Sequence, residues 1–168
     1  MPTLEPKTGL RPSLMVNLDE TEAAPQKPRT LTEAVRVAVR TVDKKTLRRV
    51  ACHTAGLAYQ PQALLGLLTY CYARRLFGSE DIEDLMRRDA DFRQLCQNEF
   101  PHARLLRRFR KENPQAVRFC LVAALRFLAE KQTEVGLGPP VEQAQLEAEA
   151  SHRITMAIFI DRMALDED

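Results

Sequence analysis

Apolar residues recur along this chain at helical spacing, and short polar breaks divide the pattern into a series of helices. Residues 62–77 are apolar on almost every side, which predicts a buried central helix. This helix should begin at Pro61, because proline is favoured at the first helical position, and end at Phe77 with Gly78 as its cap. Ser79 is then expected to cap a helix whose first turn is acidic.

The same periodicity predicts the remaining helices. They begin near Thr32, Asp43, Asp89, Ala103, Pro114 and Val141. The helix capped by Asp43 should run through Cys52, and the last helix should end at Leu165. Asn113 should cap the long helix that packs along the central one. The predicted fold class is therefore all-α: a compact multi-helix bundle with helix-turn-helix character, plus a C-terminal helix.

The helix predicted at residues 103–111 carries the strongest chemical signal. At about 100° per residue, Leu105, Leu106 and Phe109 share one side. The opposite side is cationic and holds Arg104, Arg107, Arg108 and Lys111. No acid occurs in residues 101–111, so no ion pair within the helix neutralises these charges. Such a face suits a phosphate backbone, although charged helix faces are also common as solvated surfaces.

We therefore predict two groups of DNA-contacting side chains. The first lies on the basic helix and comprises Arg104, Arg107, Arg108, Arg110 and Lys111. The second lies near the ends of neighbouring helices and comprises the phosphate clamps Arg74, Arg75, Arg87 and Arg88. Contacts that read the bases stay unassigned, because arginine binds phosphate and guanine alike.

Several motifs, taken in order, resemble a known family. They are Tyr59-x-Pro61, the apolar run through Leu64, Leu65, Leu68, Tyr70, Tyr72 and Ala73, the Ile82-Glu83 helix, Asp91-Phe92-Arg93 and Arg108-Phe109-Arg110-Lys111. Over roughly residues 31–132 their order and spacing resemble the N-terminal, InsH-type helical domain of bacterial insertion-sequence transposases. In that family the domain precedes an RNase-H-like DDE catalytic core and is thought to bind the element's terminal repeats. The resemblance implies DNA binding rather than catalysis.

Two departures from the family pattern are visible. The family usually carries an Asp-His-Ser-Thr stretch whose hydroxyls cap the arginine-rich helix, whereas here Pro101 is followed by His102-Ala103-Arg104-Leu105. The family's three separated catalytic carboxylates are also missing. Residues 156–161 resemble a remnant of the strand that presents the first acid, but one such segment does not supply a two-metal site. We therefore expect no catalytic residue.

The net charge of +2 conceals a strong asymmetry. Residues 29–132 contain 20 basic and 11 acidic side chains, whereas residues 1–28 contain 3 and 4, and residues 133–168 contain 2 and 8. A partner senses charge within about 8 Å at physiological salt, so the basic middle matters more than the whole-chain value. We predict a disordered arm at 1–28, a DNA-binding domain at 29–132, and a linker with a C-terminal amphipathic helix at 133–168.

The apolar half of the C-terminal helix needs a surface to cover it. We predict an interface at Ile154, Ile158, Phe159 and Met163. The covering surface is the body of the same chain, a second copy in a homodimer, or a full-length transposase, and the pattern does not distinguish these. A two-fold dimer would suit inverted half-sites in DNA.

No cofactor or metal site is predicted. The four cysteines lack C-x-x-C spacing, and none of the three histidines has a neighbouring ligand. No apolar run approaches the roughly 20 residues that span a bilayer, so we expect a cytoplasmic, nucleoid-associated protein without membrane contact. The favoured function is non-catalytic binding of double-stranded DNA. The alternatives are a protein-interaction module that modulates an intact transposase, and a truncated transposase remnant.

Overall fold

The computed structural model describes residues 26–50, 59–95 and 100–166 of the 168-residue chain. The described residues contain helices and no strand, which confirms the predicted all-α class. The helices are α1 (Leu31–Thr41), α2 (Pro61–Ala73), α3 (Ser79–Arg88), α4 (Ala90–Leu95), α5 (Ala103–Glu112), α6 (Pro114–Glu134) and α7 (Gln143–Asp166). Residues 1–25 of the predicted N-terminal arm lie outside the described residues. Helix-turn-helix character stays a prediction.

The core is built around α2 and α6, which pack along each other. α2 is buried on nearly every side, and Leu65, Leu67 and Leu68 have no exposed surface. Val117 and Leu121 of α6 are equally buried. α1 packs against both helices, and α7 packs against α6. The prediction of a buried central helix with a long partner beside it is confirmed.

α2 ends at Ala73, well before its predicted cap at Gly78. Arg75 adopts a left-handed backbone with a φ of 63°, a conformation that usually requires glycine or asparagine. The amide of Leu76 then donates to the Cys71 carbonyl at 2.9 Å, which closes the helix as in a Schellman motif. Gly78 itself has an ordinary φ of −66°. The prediction that α2 extends to the glycine is therefore wrong.

The segment after α1 also differs from its prediction. Asp43 caps only the single 3-10 turn Lys44–Thr46, and residues 47–50 are not helical. The side chain of Asn113 accepts a bond from the Arg48 amide at 2.7 Å and donates to the Arg48 carbonyl at 3.0 Å. These contacts satisfy backbone groups that a helix would pair internally, so the helix predicted after Asp43 is wrong over this stretch. Its remaining predicted residues lie outside the described ranges.

α7 follows a turn in which Gly136 has a φ of 75°, at the predicted break. The helix is continuous, so the interpretation of residues 156–161 as a strand remnant is wrong. Leu146, Ala150 and Ala157 are buried. α7 thus packs against the body of its own chain through this side.

Candidate nucleic-acid interface

α3 and α5 pack side by side in opposite directions. Glu83, in the middle of α3, accepts a 2.7 Å bond from the Ala103 amide at the start of α5. Glu80, near the start of α3, lies 3.7 Å from Arg107, one turn further along α5. The start of α5 therefore lies beside the middle of α3.

Glu83 supplies the helix cap that the sequence after Pro101 lacks. Burial alone would raise the pKa of Glu83, but the bond from the Ala103 amide, His102 at 3.4 Å and Arg87 at 2.6 Å outweigh burial and lower this pKa. The carboxylate also complements the positive end of the α5 dipole. A residue from another helix thus replaces the hydroxyl cap, a substitution that local sequence spacing does not reveal.

Three of the predicted DNA-contacting residues form the outer stripe of α5. Arg104, Arg108 and Lys111 are exposed, and none has an ion-pair partner among the described residues. Arg107 differs, because its side chain is only 20% exposed and lies against Glu80. Glu80 of α3 therefore pairs with Arg107, whereas the outer stripe (Arg104, Arg108, Lys111) has no ion pair among the described residues.

Arg110 points into the protein rather than towards solvent. It is 7% exposed, and its Nη1 donates to Asp161 Oδ2 at 2.7 Å and to the Tyr72 hydroxyl at 2.9 Å. Asp161 also accepts bonds from the Ser79 amide at 2.8 Å and the Ser79 hydroxyl at 2.7 Å. Ser79 is the first residue of α3 and Gly78 is its N-cap, so the prediction that Ser79 caps this helix is wrong. Since Arg110 is already bonded inside the protein, we remove it from the DNA contacts.

The buried polar network of Ser79, Tyr72, Arg110 and Asp161 satisfies its own charges. Burial opposes the charge of Arg110, but Tyr72 and Asp161 raise the pKa of Arg110 above its ordinary value. Burial also raises the pKa of Tyr72 to about 12, so its hydroxyl stays protonated. A fully bonded network of this kind fixes the helices that contribute to it.

Helical phase contains a signal for both charged members of the network. At 100° per residue, Arg110 projects about 40° from Leu106, nearer to the apolar side than to the outer stripe. Asp161 continues the buried side of α7 that includes Ala150 and Ala157. The apolar pattern of α7 does not single out this side, because its alanines are less hydrophobic than the large apolar residues next to them.

The candidate clamps outside α5 lie at the ends of two helices. At the end of α3, Arg88 is exposed without an ion pair among the described residues, whereas Arg87 pairs with an acid of its own helix. At the end of α2, the exposed guanidinium of Arg74 lies 5.5 Å from the centroid of the Tyr70 ring. Stacking of this kind holds a guanidinium in place while leaving its edge accessible. Arg75 is exposed beside it.

A protein-family model described as Transposase domain (DUF772) matches residues 21–112, slightly more than half of the chain. The chain belongs to this transposase-domain family. The match confirms the resemblance to an N-terminal transposase domain, and it includes α3 and α5. No curated protein and no solved structure matches the chain significantly.

The core of the transposase domain continues beyond the matched residues. Arg153 of α7 donates to the carbonyls of Tyr72 at 3.0 Å and Ala73 at 2.8 Å at the end of α2, where the Tyr72 carbonyl also accepts from the Arg75 amide at 3.1 Å. Asp161, also in α7, bonds to α3 and α5 as described above. α7 therefore completes three helices that lie inside the family match.

The transposase domain also exposes an apolar stripe on α7. Ile158, Phe159 and Met163 are 42%, 56% and 48% exposed. Ile154, predicted to belong with them, is partly buried against the core. The helix thus packs on its own chain through one side and leaves the α7 stripe (Ile158, Phe159, Met163) open.

The described part of the transposase domain contains no group of three or more side chains arranged to hold a metal ion. Cys71 and Cys120 are buried and lie in no disulfide among the described residues, and burial raises the pKa of Cys120 to about 12. A thiol with so high a pKa is a packing residue rather than a ligand or nucleophile. Among the described helices, none is long and apolar enough to cross a membrane.

Proposed function

We propose that this transposase domain binds duplex DNA through the outer stripe of α5 and performs no catalysis itself. The observation that supports this most directly is the set of three exposed, unpaired cations at Arg104, Arg108 and Lys111. At about 1.5 Å per residue they span about 10 Å of helix. A DNA strand carries about one phosphate per 3.4 Å of axis, so the stripe suits about three phosphates of one strand.

The outer stripe belongs to a helix that the core holds firmly. Leu106 and Phe109, on the opposite side, have no exposed surface, and Glu83 caps the first turn. A preorganised surface loses less conformational entropy on binding than a mobile one. Arg88, exposed at the end of α3, adds a further cation. The family resemblance suggests the terminal repeats of an insertion element, in the bacterial cytoplasm, as the target.

Arg74 and Arg75 are proposed as outlying phosphate clamps. Arg74 is exposed and stacked on an aromatic ring, an arrangement that favours a fixed phosphate contact. Arg75 lies next to it at the end of α2. These two residues would add contacts only to a duplex long enough to reach past α5, so binding measured against duplex length tests them.

The test of DNA binding is a fluorescence anisotropy titration of the full chain with a short labelled duplex over a series of salt concentrations. A single strand and a scrambled duplex serve as controls. Three to four phosphate contacts predict a slope of log K against log salt of about −2.7 to −3.6. Absence of duplex binding at low salt would refute the proposal, and a preference that persists at physiological salt would add base readout.

A second candidate function is recruitment of another protein through the α7 stripe. Three large apolar side chains, each 42% or more exposed, lie on two neighbouring turns of one helix. Exposed apolar clusters of this kind favour protein contacts. The candidate partners are a second copy of the chain and an intact transposase, and a complex that ignores DNA would favour this function.

Gel filtration with light scattering tests the second candidate. Phe159→Ser should shift an oligomer, or a complex with an intact transposase, towards the monomer. Phe119→Ser is the matched control, because Phe119 is 55% exposed on α6 and Phe159 is 56% exposed on α7. A wild-type chain that stays monomeric at all concentrations and forms no complex with the transposase would exclude this function.

A further inference from the structure

Asp161 of α7 bonds to both helices of the proposed DNA surface. Its Oδ1 accepts from the Ser79 amide at the start of α3, and its Oδ2 accepts from the Ser79 hydroxyl and from Arg110 in the last turn of α5. Asp161 is 3% exposed and Arg110 is 7% exposed, so water competes little for these bonds. Glu83 joins the same two helices at the other end of α5.

The two joined helices carry different parts of the cationic surface. α5 presents the outer stripe, and α3 carries the exposed Arg88 at its C-terminal end. The number of phosphates that they engage together depends on how the helices are placed relative to each other. Each simultaneous contact releases counterions and steepens the salt dependence of binding.

We propose that Asp161 is a positioning residue for DNA binding. It holds α5 against α3 and thereby sets how many phosphates the surface engages at once. This inference rests on the proposed DNA-binding function. It assigns a role in DNA binding to a residue that is buried, lies in α7 outside the family match, and does not itself contact the duplex.

The effect of Asp161→Asn on duplex affinity and salt slope distinguishes positioning from a change in net charge and from a loss of stability. Removal of one negative charge raises the net charge of +2 by one, which by itself favours binding to phosphates. A purely stabilising role predicts a lower melting temperature and a smaller active fraction, while the folded molecules keep their native affinity and salt slope. Positioning predicts weaker binding and a shallower slope in the folded protein.

The experiment compares the full-length wild type with Asp161→Asn and Asp166→Asn. Asp166 is exposed on the same helix, so its variant removes the same charge outside the buried network. Duplex affinity is measured over a salt series, and folding is followed by circular dichroism. For Asp161→Asn we expect a slope shallower by about 0.9 to 1.8 and an affinity about 8- to 60-fold lower at about 0.1 M salt. Asp166→Asn should bind as the wild type or slightly more tightly.

A folded Asp161→Asn protein with wild-type affinity and slope would overturn the inference. If Asp161→Asn does not fold, Ser79→Ala decides, because it removes only the hydroxyl bond and keeps the amide bond to Asp161. We expect Ser79→Ala to make the slope shallower by a smaller amount, and an unchanged slope would overturn the positioning role.

Failure of DNA binding itself gives a different result. In that case the wild type does not bind the duplex, or Arg104→Ala with Arg108→Ala binds like the wild type. Either result would refute the proposed DNA-binding function and the positioning role together. If those arginine substitutions weaken binding while Asp161→Asn leaves it unchanged, only the positioning inference fails.

Discussion

Replacing Arg104 and Arg108 together by alanine should weaken duplex binding by an amount that depends on salt. Both side chains are exposed on α5 without an ion pair among the described residues, so each is available to a phosphate. Each lost contact lowers the slope of log K against log salt by about 0.9, and the pair by about 1.8. With binding at about 1 M salt as reference, affinity should fall about 60-fold at about 0.1 M and about ninefold at about 0.3 M.

Arg36→Ala with Arg40→Ala is the matched control for this experiment. Both residues are exposed four positions apart on α1, so the control removes the same two charges at the same spacing. Neither double variant should change the free energy of unfolding by more than about 0.5 kcal/mol per site, because alanine is a strong helix former and the replaced side chains are exposed. Equal losses in the two variants would show that only net charge matters. An unchanged slope in the α5 variant would refute the role of the outer stripe.

Three further predictions concern stability, each measured by urea denaturation. Arg75→Gly should raise the free energy of unfolding by about 0.5–1 kcal/mol, because glycine adopts the left-handed φ of 63° without strain; a loss would contradict this. Arg153→Met should lower it by about 1–3 kcal/mol, since the buried Ala73 carbonyl loses its charged donor, and an unchanged free energy of unfolding would argue against that capping role. The pKa of Glu83 is lowered from its ordinary 4.5, so its contribution is present above that pH and is lost as the pH falls through the folded value. Glu83→Gln should lower the free energy of unfolding by about 1 kcal/mol at neutral pH and weaken its dependence on pH in the acidic range. An unaltered pH dependence in that range would be inconsistent with the cap.

Helix positions that depend on local chemistry were predictable from the sequence. Pro61 and Pro114 each occupy the first position of a helix. Asn113 is at the N-cap position of the second helix as expected, but its side chain bonds to Arg48 and Phe109 instead of to the helix start. The end of α2 was not predictable, because the left-handed residue is Arg75 and the carbonyls there are bonded by Arg153 from a distant helix. Local sequence holds no information about a donor that arrives some eighty residues later in the chain.

The candidate site shows the same division between local and tertiary information. Periodicity identified the cationic side of α5, and the outer stripe is indeed exposed. The partners of its other arginines come from other helices: Glu80 from α3 for Arg107, and Asp161 from α7 for Arg110. Arg107 and Arg110 are therefore paired by tertiary packing, which the absence of acids within α5 could not indicate.

Asn113 is the only residue between α5 and α6. Its side chain binds the backbone of Arg48 and also donates to the Phe109 carbonyl at 3.2 Å, so the connection between α5 and α6 is short and held by hydrogen bonds. From this we infer that α5 turns towards a curved ligand only together with α6 and the core. We therefore expect the duplex to adapt its shape to the protein, with a preference for sites that bend readily at pyrimidine–purine steps. This is tested by comparing the affinity for duplexes that differ only in the flexibility of base steps that the protein does not contact. Tighter binding of the more flexible duplexes would show that the DNA bends on binding.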